Sequence, residues 1–321
     1  MVKGFWSGKR VTVTGGAGFL GTHLVRRLES MGASVFVPRQ RDFNLTALDA
    51  CMRCLLEHPC DMLVHSAAYY GGIGINISEP ATLYYRNLVM GANLMEAARL
   101  AGVGKFVAIG TACSYPGYLE GHLKEEDLWS GPCHASVVNY GLTKKMMAVQ
   151  AQAYKKQYGL DSIHLILTNL YGPGDSYNPE RSHVVAALVR KYVEAEIAKA
   201  PSVEVWGTGK PIREFLYVED CADAIVLAAE RYNDASMPLN IGTGIGTSIR
   251  ALSETTRAAS VFKGKIAWNT DKPDGAPVKV LDVTRMKRVL DGWTPPTDLE
   301  SGLARTVTWY RANKAQADSK W

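Results

Sequence analysis

The sequence predicts an α/β fold, a doubly wound parallel sheet with a smaller mixed α/β lobe. Three observations carry that expectation. Short β-rich runs alternate with helix-period segments through the first half of the chain. The first run ends in a glycine trio that opens a helix, the pattern of a Rossmann-type sheet. After Tyr171-Gly172-Pro173-Gly174 the alternation breaks into a long irregular connection and short mixed segments.

The elements follow in order. Arg10-Val11-Thr12-Val13-Thr14 is the first strand, and a helix runs from about Thr22 to Met31 and stops at Gly32. Val35-Phe36-Val37, Met62-Leu63-Val64-His65 and Phe106-Val107-Ala108-Ile109 are further strands. The last two run into small residues, as strands do where their carboxyl ends open onto a ligand. Helices Leu83 to Leu100 and Leu142 to Tyr158 are apolar over more than one stripe, which predicts burial between layers or a helix–helix dimer interface. A helix from about Val184 to Lys199 follows the irregular connection. Phe215-Leu216-Tyr217-Val218 and Leu239-Asn240-Ile241-Gly242 are expected to return to the sheet. Two lobes with interleaved segments result: residues 1–173 with 215–244, and residues 174–214 with 245–321.

Composition narrows the function classes. The chain has 321 residues, 47% hydrophobic and 21% charged, as expected of a globular protein with sizeable cores. Its net charge of +5 comes without a basic stripe, so an anionic small molecule is expected in place of nucleic acid. No apolar run reaches the ~18 residues of a membrane span. The six cysteines do not form a disulfide framework, and no secretory signal precedes the first strand, so the cytoplasm is expected. Cys51, Cys54, His58 and Cys60 approach zinc-ligand spacing, but no second knuckle follows; Cys51 and Cys54 are expected on one buried helix face, with no metal site.

The glycine loop defines the cofactor. Gly16-Ala17-Gly18-Phe19-Leu20-Gly21, preceded by Gly15, follows a strand and opens a helix, where tight turns and a free helix N-terminus receive a pyrophosphate. An acidic residue ending the second strand would bind a ribose 2′-hydroxyl. The chain reads Val37-Pro38-Arg39-Gln40-Arg41 there, so a 2′-phosphate and NADP(H) are expected, with Asp42 close behind.

The chemistry is expected where Gly110-Thr111-Ala112-Cys113 meets Tyr140-Gly141-Leu142-Thr143-Lys144. The four-residue spacing puts Tyr140 and Lys144 on one helix face, where the ammonium is expected to lower the phenol toward working pH. Thr111 supplies a hydroxyl. Cys113 and His183 are not needed for hydride transfer, which points to proton movement on carbon as well.

With these motifs the chain resembles the extended short-chain dehydrogenase/reductases, and within them the GDP-L-fucose synthase family. The similarity runs through His65-Ser66-Ala67-Ala68-Tyr69-Tyr70-Gly71-Gly72-Ile73, Thr168-Asn169-Leu170-Tyr171-Gly172-Pro173, Ser182-His183-Val184, Val205-Trp206-Gly207-Thr208-Gly209, Arg213-Glu214-Phe215-Leu216 and Lys272-Pro273-Asp274-Gly275. The resemblance implies a 3,5-epimerase/4-reductase of GDP-4-keto-6-deoxy-D-mannose, working as a homodimer through helices 83–100 and 142–158. Cys113 aligns with the epimerisation base, His183 with its partner acid, and Thr111, Tyr140 and Lys144 with the reduction site. Cofactor contacts fall on Gly15, Gly18, Phe19, Leu20, Gly21, Arg39, Arg41, Ala67, Tyr140, Lys144 and His183. Those to the nucleotide-sugar fall on Asn169, Lys191, Trp206, Arg213 and Lys272. The chain departs from the family at Ala112, where a serine is usual, and at Lys191, where an arginine is usual. The alternatives are a C4 reductase or epimerase of a related sugar such as a GDP-heptose, and a non-catalytic dinucleotide sensor.

Overall fold

The computed structural model describes residues 4–71, 73–179, 182–272, 274 and 277–319. Gly72, Pro273 and Gly275 of the motifs above lie outside the described residues.

Six parallel strands form the central sheet, in the order Leu239–Ile241, Asp161–Leu167, Lys105–Thr111, Met62–His65, Arg10–Thr14, Ser34–Phe36. Helices Phe19–Ser30 and Val218–Arg231 pack together on one face, and Leu48–Glu57, Pro80–Leu100 and Val138–Tyr158 cover the other. With both faces covered the strands are buried on both sides, as in Met62–His65, buried at all four positions. The strand order reverses between Arg10–Thr14 and Met62–His65, which opens a crevice at their carboxyl ends.

One expectation from the strand pattern is corrected. Phe215–Tyr217 does not rejoin the central sheet; it pairs in parallel with Asn169–Tyr171 as a separate two-stranded ribbon. Its three residues are buried, Phe215 and Tyr217 in the second core, while Leu239–Ile241 takes the sheet edge beside Asp161–Leu167. Asp161–Leu167, a central strand, is an element the sequence pattern does not single out.

The second core lies among helices Val184–Ile197, Ile249–Ala259 and Leu299–Ser319, around Tyr171, Tyr177, Tyr192, Tyr217 and Tyr310. A mixed sheet (Thr247–Ser248, Ile212–Arg213, Val278–Leu281, Gly121–Leu123) and a ribbon of Ser202–Trp206 with Lys265–Asn269 complete the chain. Glu214, fully buried, joins these parts. One carboxylate oxygen accepts from the Thr243 and Gly244 N–H groups at 2.5 and 2.9 Å, and the other from Leu281 N–H at 2.7 Å.

Candidate active site

A cavity of about 670 Å³ runs along the carboxyl ends of the central strands. Its first wall is the glycine loop. Gly15 has φ +71, and a Cβ there would come within 2.7 Å of Ala67 N; a Cβ on Gly21 would lie 2.0 Å from the Gly15 carbonyl oxygen. Only glycine allows the loop to fold this tightly. Gly18 caps helix Phe19–Ser30 without a side-chain bond, and no acid stands in the first turn. The N–H groups at that end therefore suit an anion. This cradle fits a dinucleotide.

Arg39 lines the same cavity, with Asn44 and Thr46 beside it. Arg41 does not line it. Its side chain is 84% exposed and pairs with Asp42 at 3.2 Å. Ala67 faces the cavity between the strand end and Tyr70.

Thr111 ends its strand in extended conformation and caps a short 3-10 turn, Ala112–Ser114, by accepting the Cys113 N–H at 3.2 Å. That turn brings Cys113 into the cavity beside Thr111. Helix Val138–Tyr158 closes on it because Gly141 has no side chain: a Cβ there would lie 2.3 Å from the Cys113 carbonyl oxygen. The Ser114 hydroxyl donates to the Gly141 carbonyl at 2.9 Å and locks the contact. Tyr140, one residue earlier, thereby faces Thr111 and Cys113 across the cavity.

Electrostatics here are governed by burial. It pushes the Tyr140 phenol up, with Cys113 adding to the shift. The net shift of this phenol is upward, where a lowering is expected from the sequence; a phenol held protonated suits a proton donor. Lys144 is buried and does not line the cavity; its ammonium lies 5.9 Å from the Tyr140 ring centre, and burial pushes it down to about 8. Burial also raises the Cys113 thiol, against a hydrogen bond from Thr111 and the positive charge of Lys279. His183 is lowered by burial. It precedes helix Val184–Ile197, and its ring stacks on Tyr70 at 5.3 Å.

Two histidines lie under the site. Thr14, His65, Ala108 and His164 form one row across four neighbouring strands. The His65 Nδ1 and Thr14 Oγ1 atoms are 2.9 Å apart. His164 is buried and neither ring nitrogen has a hydrogen-bond partner among the described residues. Burial, then the charge of Lys144, drives His164 down to about 3 and His65 well below its ordinary value.

The remaining sequence-derived positions divide. Asn169 lines the cavity and donates to the Glu214 carbonyl at 2.9 Å. Lys191, Trp206 and Lys272 form a second group that does not line it: the two ammonium groups lie 5.7 and 5.2 Å from the indole centre, and Trp206 is 61% exposed. Arg213 is next to Lys279 in strand register, and burial lowers it. Lys279 interacts electrostatically with both Arg213 and Cys113, so it ties Arg213 to the cavity. Sequence spacing gave no sign of Lys279, or of Arg86 and Asp175 on the cavity wall. Tyr70 was visible only as part of a motif.

Residues 11–242 match the family described as NAD dependent epimerase/dehydratase. The chain belongs to that family. It is 39% identical over 308 residues to the GDP-L-fucose synthase of Sinorhizobium fredii, covering 96% of this chain and 97% of the relative. Among solved structures, a GDP-L-fucose synthetase from Naegleria fowleri bound to NADP superposes with a TM-score of 0.87 at 26% identity, covering 96% of each chain. A GDP-6-OMe-4-keto-L-xylo-heptose reductase from C. jejuni superposes with a TM-score of 0.89 at 25% identity, covering 95% of this chain and 98% of that one. The Rossmann-type fold with its smaller mixed lobe is common to these enzymes.

Proposed function

We propose that the chain is an NADPH-dependent epimerase/reductase that converts GDP-4-keto-6-deoxy-D-mannose to GDP-L-fucose. One observation carries the reading: Thr111 and Tyr140, with the buried Lys144 ammonium 5.9 Å from the Tyr140 ring centre, share one cavity with Cys113 and His183. The first set serves a carbonyl oxygen and the second a carbon acid.

A C4 ketone acidifies the hydrogens at C3 and C5. Cys113 as thiolate removes one of them while Tyr140 and Thr111 hold the enolate oxygen. His183 delivers a proton to the opposite face and inverts the centre. Bound NADPH supplies the hydride for C4. Tyr140 gives its proton to the oxygen that then becomes a hydroxyl, and Lys144 stabilises the phenolate left behind. Gly15, Gly18, Phe19, Leu20, Gly21, Ala67 and Arg39 would hold the cofactor. Arg41, paired with Asp42, would have to turn to reach a 2′-phosphate. Trp206 offers a face for a purine, with Lys191, Lys272 and Arg213 around it for the diphosphate, and Asn169 at the sugar end.

The division into a cofactor lobe (1–173 and 215–244) and a nucleotide-sugar lobe (174–214 and 245–321) belongs to the same proposal. So does a homodimer in the cytoplasm, for which Tyr85, Leu100, Val149 and Tyr158 are exposed apolar side chains on helices Pro80–Leu100 and Val138–Tyr158. No helix among the described residues is long and apolar enough to cross a membrane.

The test is incubation with NADPH and GDP-4-keto-6-deoxy-D-mannose in deuterated water, with the product identified by NMR. GDP-L-fucose carrying deuterium at C3 and C5 is the expected product. A reduced sugar without carbon-bound deuterium would favour the second reading, a C4 reductase of a related GDP-4-keto sugar such as a heptose, which the likeness to the C. jejuni reductase supports.

A further inference from the structure

We infer that Tyr70 is the specificity-determining wall of the sugar site, whose ring limits what the carbons beside the C4 carbonyl can carry and so favours a 6-deoxyhexose over a heptose. The inference rests on the function proposed above and adds a residue to it.

The geometry is direct. The Tyr70 ring lies 4.8 Å from the Tyr140 ring at a 44° tilt, and 5.3 Å from the His183 ring at 25°. It therefore touches one member of each proton-transfer set. The residue keeps 41% of its surface exposed toward the cavity, so its ring is a wall a ligand can touch, and its electrostatic neighbours are Cys113, Tyr140 and Asp175. A 4-keto sugar with its carbonyl oxygen at Tyr140 and its C3 or C5 hydrogen between Cys113 and His183 must lie along this same line. Tyr70, which lines this cavity between Tyr140 and His183, then borders the sugar.

The backbone leading into Tyr70 is held in place by construction. The preceding residue, Tyr69, is fixed through both backbone groups. Its N–H donates to the Asn87 side-chain oxygen at 2.9 Å, and its carbonyl accepts from the Asn87 amide at 2.8 Å. Asn87 is itself buried on helix Pro80–Leu100 and also donates to the Leu83 carbonyl at 2.9 Å. The Tyr69 hydroxyl donates to Glu79 at 2.7 Å, and the Arg86 guanidinium lies 4.7 Å from the Tyr69 ring centre. The anchored backbone delivers Tyr70 to the cavity, where its ring packs against those of Tyr140 and His183.

The chemical consequence concerns C5. In a 6-deoxyhexose C5 bears a methyl group; in a heptose it bears a two-carbon chain. C5 is one bond from the carbonyl carbon, so with the carbonyl oxygen at Tyr140 we place this substituent against the Tyr70 ring, 4.8 Å from that of Tyr140. One carbon more or less against an apolar wall is worth about 10–200-fold in kcat/KM.

The experiment compares the full-length parent with Tyr70→Phe, Tyr70→Val and Tyr70→Leu. NADPH oxidation is measured with GDP-4-keto-6-deoxy-D-mannose and with a GDP-4-keto-heptose, and NADPH affinity serves as the folding control. The parent should prefer the hexose at least tenfold, and Tyr70→Phe, which keeps the ring, should preserve that ratio. Tyr70→Val or Tyr70→Leu should reduce the ratio about tenfold, by gaining heptose turnover, with NADPH affinity unchanged. An unchanged ratio in whichever aliphatic variant binds NADPH normally overturns the inference alone. So does equal loss of selectivity in Tyr70→Phe, which would assign it to the hydroxyl, or a parent that prefers the heptose. A parent that reduces neither sugar overturns the proposed function and this inference together.

Discussion

Lys144 stands one helical turn from Tyr140, with its ammonium 5.9 Å from the centre of the phenol ring. Burial sets this pair against stability. Moving Lys144 from 10.5 to about 8 corresponds to about 3 kcal/mol of destabilisation at neutral pH. The unfolded chain holds this proton more tightly than the folded one, so the cost is complete below pH 8 and disappears as pH rises toward 10.5. Lys144→Met should therefore raise the thermal midpoint at pH 7 by several degrees while abolishing reduction. The gain should shrink between pH 8 and 10. A midpoint that falls at pH 7 would mean that the ammonium is stabilised by contacts stronger than its desolvation.

The buried histidines predict acid lability. His164 is driven from 6.5 to about 3, and His65 is also lowered. Below pH 6.5 the unfolded chain takes up protons that the folded chain refuses. Stability should fall by about 1.4 kcal/mol per pH unit for each such group until the folded pKa is reached. His164→Leu removes one of these protons and an imidazole with no hydrogen-bond partner. Urea unfolding of this variant should depend less steeply on pH between 6 and 4, with equal or greater stability at pH 7. Parallel pH profiles for variant and parent would contradict it.

Arg39 is expected to carry the cofactor preference. It lines the cavity while Arg41 is turned to Asp42. A charge-assisted bond to a 2′-phosphate is worth about 1.5–3 kcal/mol. Arg39→Ala should thus weaken NADPH about 10–100-fold and leave NADH nearly unchanged, by fluorescence titration. Arg41→Ala should matter much less; the reverse order would assign the phosphate to Arg41.

How much of this was legible in the sequence depends on the physics of each feature. The glycine loop was readable because backbone geometry demands glycine at fixed spacing, and the contacts at Gly15 and Gly21 supply the reason. Helix starts were displaced: helix Phe19–Ser30 begins at Phe19, three residues before the expected Thr22, since Gly18 caps it without a side-chain signal. Strand Asp161–Leu167 was hidden because Asp161, Ser162 and His164 interrupt its apolar run, although Ser162 and His164 are buried. Lys279 and Tyr70 reach the site only through tertiary folding. Lys279 is separated from Cys113 by about half the length of the chain, and no local spacing encodes that approach.

Glu214 predicts a structural dependence between the parts of the chain. Its carboxylate receives N–H groups from Thr243, Gly244 and Leu281, although burial raises its pKa. Glu214→Ala leaves those donors unpaired and should cost about 3–5 kcal/mol. Glu214→Gln keeps one acceptor oxygen and should cost less. Because Leu281 closes the strand that carries Lys279, the alanine variant should also raise KM for the nucleotide-sugar. Denaturant unfolding and steady-state kinetics test the two halves separately, and an alanine variant as stable as the parent would remove the clamp from the account.

Cys113 and Tyr140 share a cavity, yet their protonation demands differ, and this separates the two reactions experimentally. Epimerisation needs the thiolate, and burial raises the thiol above its ordinary value while Thr111 and Lys279 only partly offset it. The thiolate fraction, and with it solvent deuterium exchange at C3 and C5, should grow with pH through the alkaline range. Reduction needs the protonated phenol, which burial also raises, so it should persist across the same range. Cys113→Ser replaces the thiol by a far weaker acid of similar shape. Exchange should fall by two orders of magnitude or more, while hydride transfer to an already epimerised 4-ketone stays near the parent rate, because Thr111, Tyr140 and Lys144 are untouched. Lys279→Met should move the alkaline rise in exchange to higher pH without moving the reduction profile, since its charge acts on the thiol. Exchange at the parent rate in Cys113→Ser would assign the carbon base elsewhere and leave the cavity as a reductase site alone.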